Sequence, residues 1–235
     1  MSLRDGGVSA APWSSLNLGL AVGDDPAAVA LNRARFGSAL GARVVWLRQV
    51  HGVNVLRLGQ APPEQPEAPA DAAWTTEPGV ACTVQVADCL PVLFATRDGH
   101  AVAAADAGWR GLAAGVLEAT LQALQSGAGT EPRDIFVWLG PCIGPRQFEV
   151  GADVLQAFDQ GLEEAQVPGF LARTRPDGSA RWLANLQHLA WRRLTAAGVG
   201  HISTEQACTV EDSSRFFSFR RDGVTGRQAA AVWLR

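Results

Sequence analysis

The 235-residue sequence has no uninterrupted apolar run near the roughly 20 residues that a membrane-crossing helix needs. Its opening stretch, "MSLRDGGVSAAPW", also lacks the apolar centre of a secretory signal. These absences lead to the expectation of a soluble, cytoplasmic protein with no membrane partner. Basic blocks are missing too: 20 basic and 23 acidic residues are interspersed, for a net charge of -3. Nothing in that pattern tracks a phosphate backbone, so nucleic acid is not expected as a partner. The four cysteines, Cys82, Cys89, Cys142 and Cys208, form no C-x-x-C pair, which excludes a zinc ribbon or a thioredoxin-type motif and leaves reduced thiols as the expectation. No G-x-S-x-G elbow, P-loop or H-E-x-x-H helix occurs, and "GDDPAA" matches no phosphate-binding fingerprint.

What is present is a chain with 47% hydrophobic residues, long enough to bury a large core, and residues 1–235 read as one domain. Residues 43–48, "RVVWLR", and 53–58, "VNVLRL", read as strands, with "QVHG" in the join. The proline-rich stretch 59–79 reads as a surface loop. Strands follow near 81–87, 91–96 and 100–105, the last two forming a hairpin across Arg97, Asp98 and Gly99. Leu112, Val116, Leu117, Leu121 and Leu124 at helical spacing predict one helix over 110–126. Residues 135–145 read as a buried strand entering a glycine and proline turn. Helices are expected near 151–165 and 184–197, and a closing hairpin around Asp222 and Gly223. Strands and helices in mixed order predict an α/β fold of the α+β sandwich type, with mixed β-sheets and flanking helices.

Three positions carry chemistry at element ends. In "AVAAADAGWRGL", Asp106 lies where a small-residue strand meets a helix, so it either caps that helix or serves as a ligand or catalytic acid. Cys89, in "QVADCLPVLF", sits between an acid and a strand-breaking Leu-Pro step. His51 is framed by a turn. Cys82, Cys142 and Cys208 lie in apolar runs and read as small buried hydrophobes. His100 and His201 border turns, and His188 lies on the polar side of a helix, so these three read as surface or core-edge residues.

Taken together, "LRQVHGVNV", "ADCLPVLF", "AGWRGLAAGVLEAT", "GPCIGPRQFEVG", "FFSFRRDGVTGRQAAAVWL" and the N-terminal "RDGGVSAAPWSSLNLGLAVGDD" resemble the laccase-domain family, also described as multicopper polyphenol oxidase-like or purine nucleoside phosphorylase-type proteins. The blocks run in order from residue 4 to residue 235, beginning inside the family's opening block, so this chain is expected to lack a leading strand that relatives have. The resemblance implies an α/β fold with a pocket where His, Cys and a second His bind zinc, and activity on a purine nucleoside and phosphate as phosphorylase or adenosine deaminase. By motif, His51 and Cys89 are the first two ligands, and Asp106 stands where the family reads "HAGWRG". Ala21 replaces a common His, and "GPRQFEVG" loses a Cys and carries Phe148 for Tyr.

The implied metal set is therefore His51, Cys89 and Asp106, and the implied catalytic set is His51, Cys89 and Asp88, with Asp88 either an acid-base group or an acid that stabilises its turn or orients His51. Asn17, Arg48, Arg110 and Arg220 are the implied substrate-binding residues, through amide hydrogen bonds or guanidinium recognition of phosphate, although Asn17 equally suits its own turn. A carboxylate in the ligand set cancels the +2 of zinc, where two His and one Cys would leave +1, so weaker activation is expected. Two other classes stay open: a Cys-His hydrolase with Cys89 as nucleophile and His51 as base, of an amidase or peptidoglycan-precursor-editing type, and a non-catalytic relative. A copper polyphenol oxidase is least supported, because four histidines are too few for blue-copper and trinuclear sites, and zinc is preferred to copper as the cofactor.

Overall fold

The computed structural model describes residues 1–61, 69–158 and 168–235. Its elements are α1 (Pro26–Leu40), β1 (Arg43–Val45), β2 (Val55–Arg57), β3 (Ala72–Thr75), β4 (Val80–Val86), β5 (Leu90–Thr96), β6 (Val102–Ala107), α2 (Trp109–Ala114), α3 (Val116–Ala128), β7 (Ile135–Leu139), β8 (Glu149–Val150), α4 (Ala152–Ala157), β9 (Phe170–Thr174), β10 (Ala180–Ala184), α5 (Leu186–Ala196), β11 (His201–Thr204), α6 (Phe219–Asp222) and β12 (Gln228–Val232). Six strands form a mixed sheet in the order β11-β7-β5-β6-β3-β2, and β1-β4-β12 and β8-β10-β9 form two smaller sheets.

Period-two alternation explains how the layers stack. In β6, Ala103, Ala105 and Ala107 face the main core with Val116, Leu117, Leu121 and Leu124 of α3, while Val102 and Ala104 face Val45, Cys82, Val84 and Ala230 of the second sheet. Alanine on both faces lets helix and sheet approach closely from either side. The outer face of the second sheet, with Ala229 and the partly buried Val44 and Ala231, is covered by Phe36 and Leu40 of α1. The result is helix, sheet, sheet, helix, the α+β arrangement of mixed sheets with flanking helices. No helix among the described residues is long and apolar enough to cross a membrane.

Several elements depart from the sequence reading. Helix α1 had no counterpart in it, although its ends carry strong signals: Asp25 accepts the Ala27 N–H at 2.9 Å, Pro26 opens the helix, and Gly41 closes it at φ 64. Its buried stripe is only Val29, Asn32 and Phe36. The stretch 59–79, assigned as loop, contains the buried strand β3, which pairs with both β2 and β6. The helix expected over 110–126 is two helices, broken where Gly115 takes φ 103. The strands around "QVHG" are shorter than expected, and the C-terminal hairpin is replaced by α6 followed by β12, which pairs with β4. The β9–β10 hairpin was not anticipated. Of the helix expected over 151–165, α4 is seen, and the part from 159 onward lies outside the described residues.

One close approach makes a test of this packing. A Cβ on Gly127, within α3, would lie 2.1 Å from Cη2 of the buried Trp74. Helix propensity alone favours Gly127→Ala by roughly 1 kcal/mol, but the clash with the indole dominates, since overpacking costs about 1–3 kcal/mol. Thermal melts are expected to show Gly127→Ala destabilised and a Gly127→Ala/Trp74→Phe double variant recovering part of the loss; a more stable single variant would contradict the packing described.

Candidate metal centre

The first donor is positioned by a buried acid. Asp71, fully buried at the start of β3, accepts the backbone N–H groups of Val50, His51 and Gly52 at 2.8, 2.6 and 2.8 Å. Those bonds hold His51 at φ 59, a left-handed conformation uncommon for a residue with a side chain. The Asp71 carbonyl also accepts the N–H of Asp106 at 2.7 Å, so one residue ties the His51 turn to strand β6.

The other two donors come from the β5–β6 ladder. Pro91 lies opposite Asp106 and Leu90 opposite Ala107, which carries Cys89, just before β5, across to Gly108. A Cβ on Gly108 would stand 2.7 Å from Cys89 Sγ and 3.2 Å from His51 Cδ2. Only glycine fits there. A Cβ on Gly111 would likewise meet the Gly52 carbonyl at 2.9 Å, so the two glycines of "GWRG" let α2 lie against the His51 turn. Ligand atoms of His51, Cys89 and Asp106 all lie within 4.8 Å of one another. His51 is exposed, Cys89 half-buried and Asp106 buried, so the group opens on its histidine side.

Asp106 is not a helix cap. It lies inside β6, and the residue capping α2 is Gly108, which has no side chain to bond the first turn. Its Oδ2 accepts from Gln49 Nε2 at 2.6 Å, and its Oδ1 is buried with no hydrogen-bond partner. Burial pushes the Asp106 carboxyl up to about 6, against the opposing pull of His51 and of the Gln49 hydrogen bond. Burial, followed by the Asp106 and Asp88 carboxylates, pushes the Cys89 thiol well above its ordinary range. An orphaned carboxylate oxygen beside a thiol and an imidazole nitrogen suits a divalent cation, which would relieve both crowded acids at once. Nitrogen, sulfur and oxygen donors are all zinc ligands, so the residues present fit that metal.

The remaining candidates are placed as follows. Asp88, at φ 94, accepts Thr209 Oγ1 at 2.7 Å and the Arg220 N–H at 2.6 Å. The carboxylate that holds the backbone of the His51 turn is Asp71, while Asp88 fixes α6 and the segment around Thr209 beside Cys89, as the turn-stabilising reading of that acid has it. Arg220 is exposed, its guanidinium donating to the carbonyls of Gln147 and Glu149 at 3.3 and 3.1 Å and lying over the Phe148 ring. Arg110 is exposed over Trp109, and Arg48 is exposed in a bridge to Pro69. Asn17 is fully buried, with Nδ2 donating to the Gly19 carbonyl and Asp24, and Oδ1 accepting from the N–H groups of Gly19 and Arg227. Its amide is fully engaged in holding that turn. The four cysteines are free.

Sequence reasoning missed three residues. Asp71 lay in the supposed loop, Gln49 sat unremarked in "QVHG", and Arg227 follows a glycine in "TGRQ". Gln49 is locked by the Gln85 backbone, donating to its carbonyl and accepting its N–H, both at 2.8 Å. Arg227 is half-buried, its Nη1 donating to the Thr225 and Gly226 carbonyls at 3.1 and 3.0 Å; burial lowers its pKa, while the Cys89, Asp88 and Asp106 groups pull it back up, so its charge is felt by the cluster. No local motif announces any of the three.

The class defined so far is an α+β protein with an open three-donor site of mixed N, S and O ligands. A family model described as multi-copper polyphenol oxidoreductase laccase matches residues 1–235, and the chain belongs to that family. It is 50% identical over 234 residues to a Pseudomonas aeruginosa protein named purine nucleoside phosphorylase, covering 100% of this chain and 92% of that protein. It is 45% identical over 235 residues to the Escherichia coli K12 purine nucleoside phosphorylase YfiH, covering 99% and 92%. Among solved structures, a Neisseria meningitidis protein matches with a TM-score of 0.87 at 44% identity, covering 99% of this chain and 91% of that one. YlmD from Geobacillus stearothermophilus matches with a TM-score of 0.88 at 33% identity, covering 99% and 90%.

The raised Asp106 carboxyl has a consequence for the metal-free protein. Between the ordinary value of 3.8 and the folded value of about 6, the folded chain holds a proton that the unfolded chain has released, so stability is lost as pH rises through about 6. Asp106→Asn removes that loss. In melts with chelator present, the variant should match the parent near pH 4 and exceed it at pH 8 by roughly 1–3 kcal/mol, about 3–8 °C in a domain of this size. A variant equally stable to the parent at both pH values would refute the charge assignment.

Proposed function

We propose that the chain is a purine nucleoside phosphorylase-type enzyme that uses zinc at His51, Cys89 and Asp106 and acts on a purine nucleoside and inorganic phosphate. The observation that carries this reading is the convergence of those donor atoms within 4.8 Å around the buried, unpartnered Asp106 Oδ1. The names of the relatives supply the substrate class. Bound there, zinc supplies a Lewis acid. Arg227, whose charge couples to the donor cluster and whose backbone is held by Asn17, supplies the positive charge that a phosphate dianion requires. Asp88 keeps α6 and its following loop in place through the Arg220 N–H. Phosphorolysis forms a bond from a phosphate oxygen to the ribose C1′ as the bond from C1′ to the base nitrogen breaks, and the base leaves with a proton. The proposal includes adenosine deamination as a second activity, recognised by ammonia release without phosphate.

The Cys-His hydrolase reading is weakened by the state of the thiol. A nucleophilic cysteine needs a lowered pKa, whereas burial and two carboxylates raise that of Cys89. A copper oxidase is weakened as well, since the one group of three or more metal-binding side chains among the described residues contains a single imidazole.

Elemental analysis and a base-release assay test the proposal. About one equivalent of zinc is expected, with adenosine and inosine cleaved only when phosphate is present, activity lost on chelation and regained with zinc. Arg227→Gln is expected to raise the KM for phosphate about tenfold or more while changing that for nucleoside much less. Activity that survives chelation and is lost on thiol alkylation would replace the proposal with the hydrolase reading. A folded protein with neither metal nor turnover would make the chain a non-catalytic relative.

A further inference from the structure

Phe219 is a large aromatic left 57% exposed on the first turn of α6. Its place in the fold is tied to the candidate site from two directions. The next residue, Arg220, donates its backbone N–H to Asp88 at 2.6 Å, and the guanidinium of Arg227 lies 5.9 Å from the centre of the Phe219 ring. Arg227 is the cation whose charge couples to Cys89, Asp88 and Asp106. The stem of the same arginine lies against Gly19, where a Cβ would stand 2.7 Å from its Cγ, and the residue after Gly19 is Leu20, 53% exposed. An open ring thus lies beside the arginine whose charge couples to the donor cluster, and an exposed leucine follows the glycine against which its stem packs.

Phe219 is the most exposed of the large aromatic side chains among the described residues. Burying a phenylalanine is strongly favourable, and the first turn of a short surface helix accepts polar residues readily. The Arg227 guanidinium lies over the ring at 5.9 Å from its centre, and the residue keeps 57% of its surface open. A surface of this kind suits a planar π-system, and a nucleobase has one on both faces.

We propose that Phe219 is the specificity-determining platform on which the base of the nucleoside stacks, with the sugar directed toward the donor cluster and the anionic co-substrate toward Arg227. This rests on the reading of the site as a nucleoside phosphorylase and adds to it where the base lies. The preference for purines then follows from the larger stacking area of a two-ring base, and base identity is read weakly, so adenosine and inosine bind comparably.

Steady-state kinetics with adenosine and inosine, together with calorimetric binding of adenosine to the zinc-loaded protein without phosphate, test this. Phe219→Ala is expected to raise KM and Kd for both nucleosides roughly ten- to a hundredfold, to change kcat and the KM for phosphate less than threefold, and to leave the melting temperature near that of the parent. Phe219→Trp is expected to restore binding and Phe219→Leu to behave like alanine, which separates stacking from simple apolar contact. Unchanged nucleoside KM and Kd in Phe219→Ala, or parent-like binding in Phe219→Leu, would overturn the platform while leaving the phosphorylase reading intact. Adenosine that binds the parent and is weakened by Phe219→Ala without any turnover would support the platform and sink the phosphorylase reading. A parent that binds no adenosine would overturn both.

Discussion

The site depends on one buried carboxylate. Asp71 has no exposed surface, and three backbone N–H groups converge on its carboxyl oxygens, hydrogen bonds that offset the cost of burying a polar group. Those bonds fix the turn carrying His51, while the Asp71 backbone carbonyl holds Asp106. Asp71 stands at the head of β3, and β3 lies between β2 and β6 in the main sheet. The distance between the histidine and the aspartate is therefore set by the sheet itself. Loss of this carboxylate would leave three donors to find other acceptors and free the His51 turn from its left-handed conformation.

The conformations of the site repeat the same logic. The only non-glycine residues with positive φ among those described are His51 and Asp88, at 59° and 94°. Such strain persists where surrounding contacts over-determine it. His51 is held by Asp71, and Asp88 is held by Thr209 and the Arg220 N–H through its side chain and by the Ile143 N–H through its carbonyl. Between these two turns the chain cannot carry side chains at Gly108 and Gly111, because the thiol of Cys89 and the carbonyl of Gly52 occupy that space. The "AGWRG" segment is thus a steric statement as much as a chemical one.

This explains which parts were legible in the sequence. The hairpin of β5 and β6 was readable because alternation and a turn at Gly99 are local signals, and the amphipathic stripe of α3 is equally local. Strand β3 was not: "ADAAWT" contains three alanines, which carry little strand propensity, and it follows a proline-rich stretch. Helix α1 was hidden because its buried face includes Asn32, whose amide is spent on Ser9 and on the carbonyls of Ser15 and Asn17. The donor set came from motif resemblance, and nothing in the gaps between residues 51, 89 and 106 encodes it. Asp71, Gln49 and Arg227 act through contacts made only in the folded chain, where no periodicity or spacing marks them.

The aspartate at 106 is matched to its neighbour. The Gln49 amide cannot flip, because its nitrogen donates to the Gln85 carbonyl and its oxygen accepts the Gln85 N–H. Its N–H groups therefore point in a fixed direction, and one of them donates to Asp106 Oδ2 at 2.6 Å. A carboxylate can accept that bond with one oxygen and keep the other, here the unpartnered Oδ1, for a cation. A neutral imidazole has a single lone-pair nitrogen. If it accepted from Gln49, the nitrogen left over would carry a proton and could not bind a metal; if it bound a metal, the Gln49 N–H would face a ring N–H or nothing. The two-oxygen side chain satisfies the locked amide and the donor cluster together, so the carboxylate at this position is integrated into the hydrogen-bond scheme of the sheet beneath it.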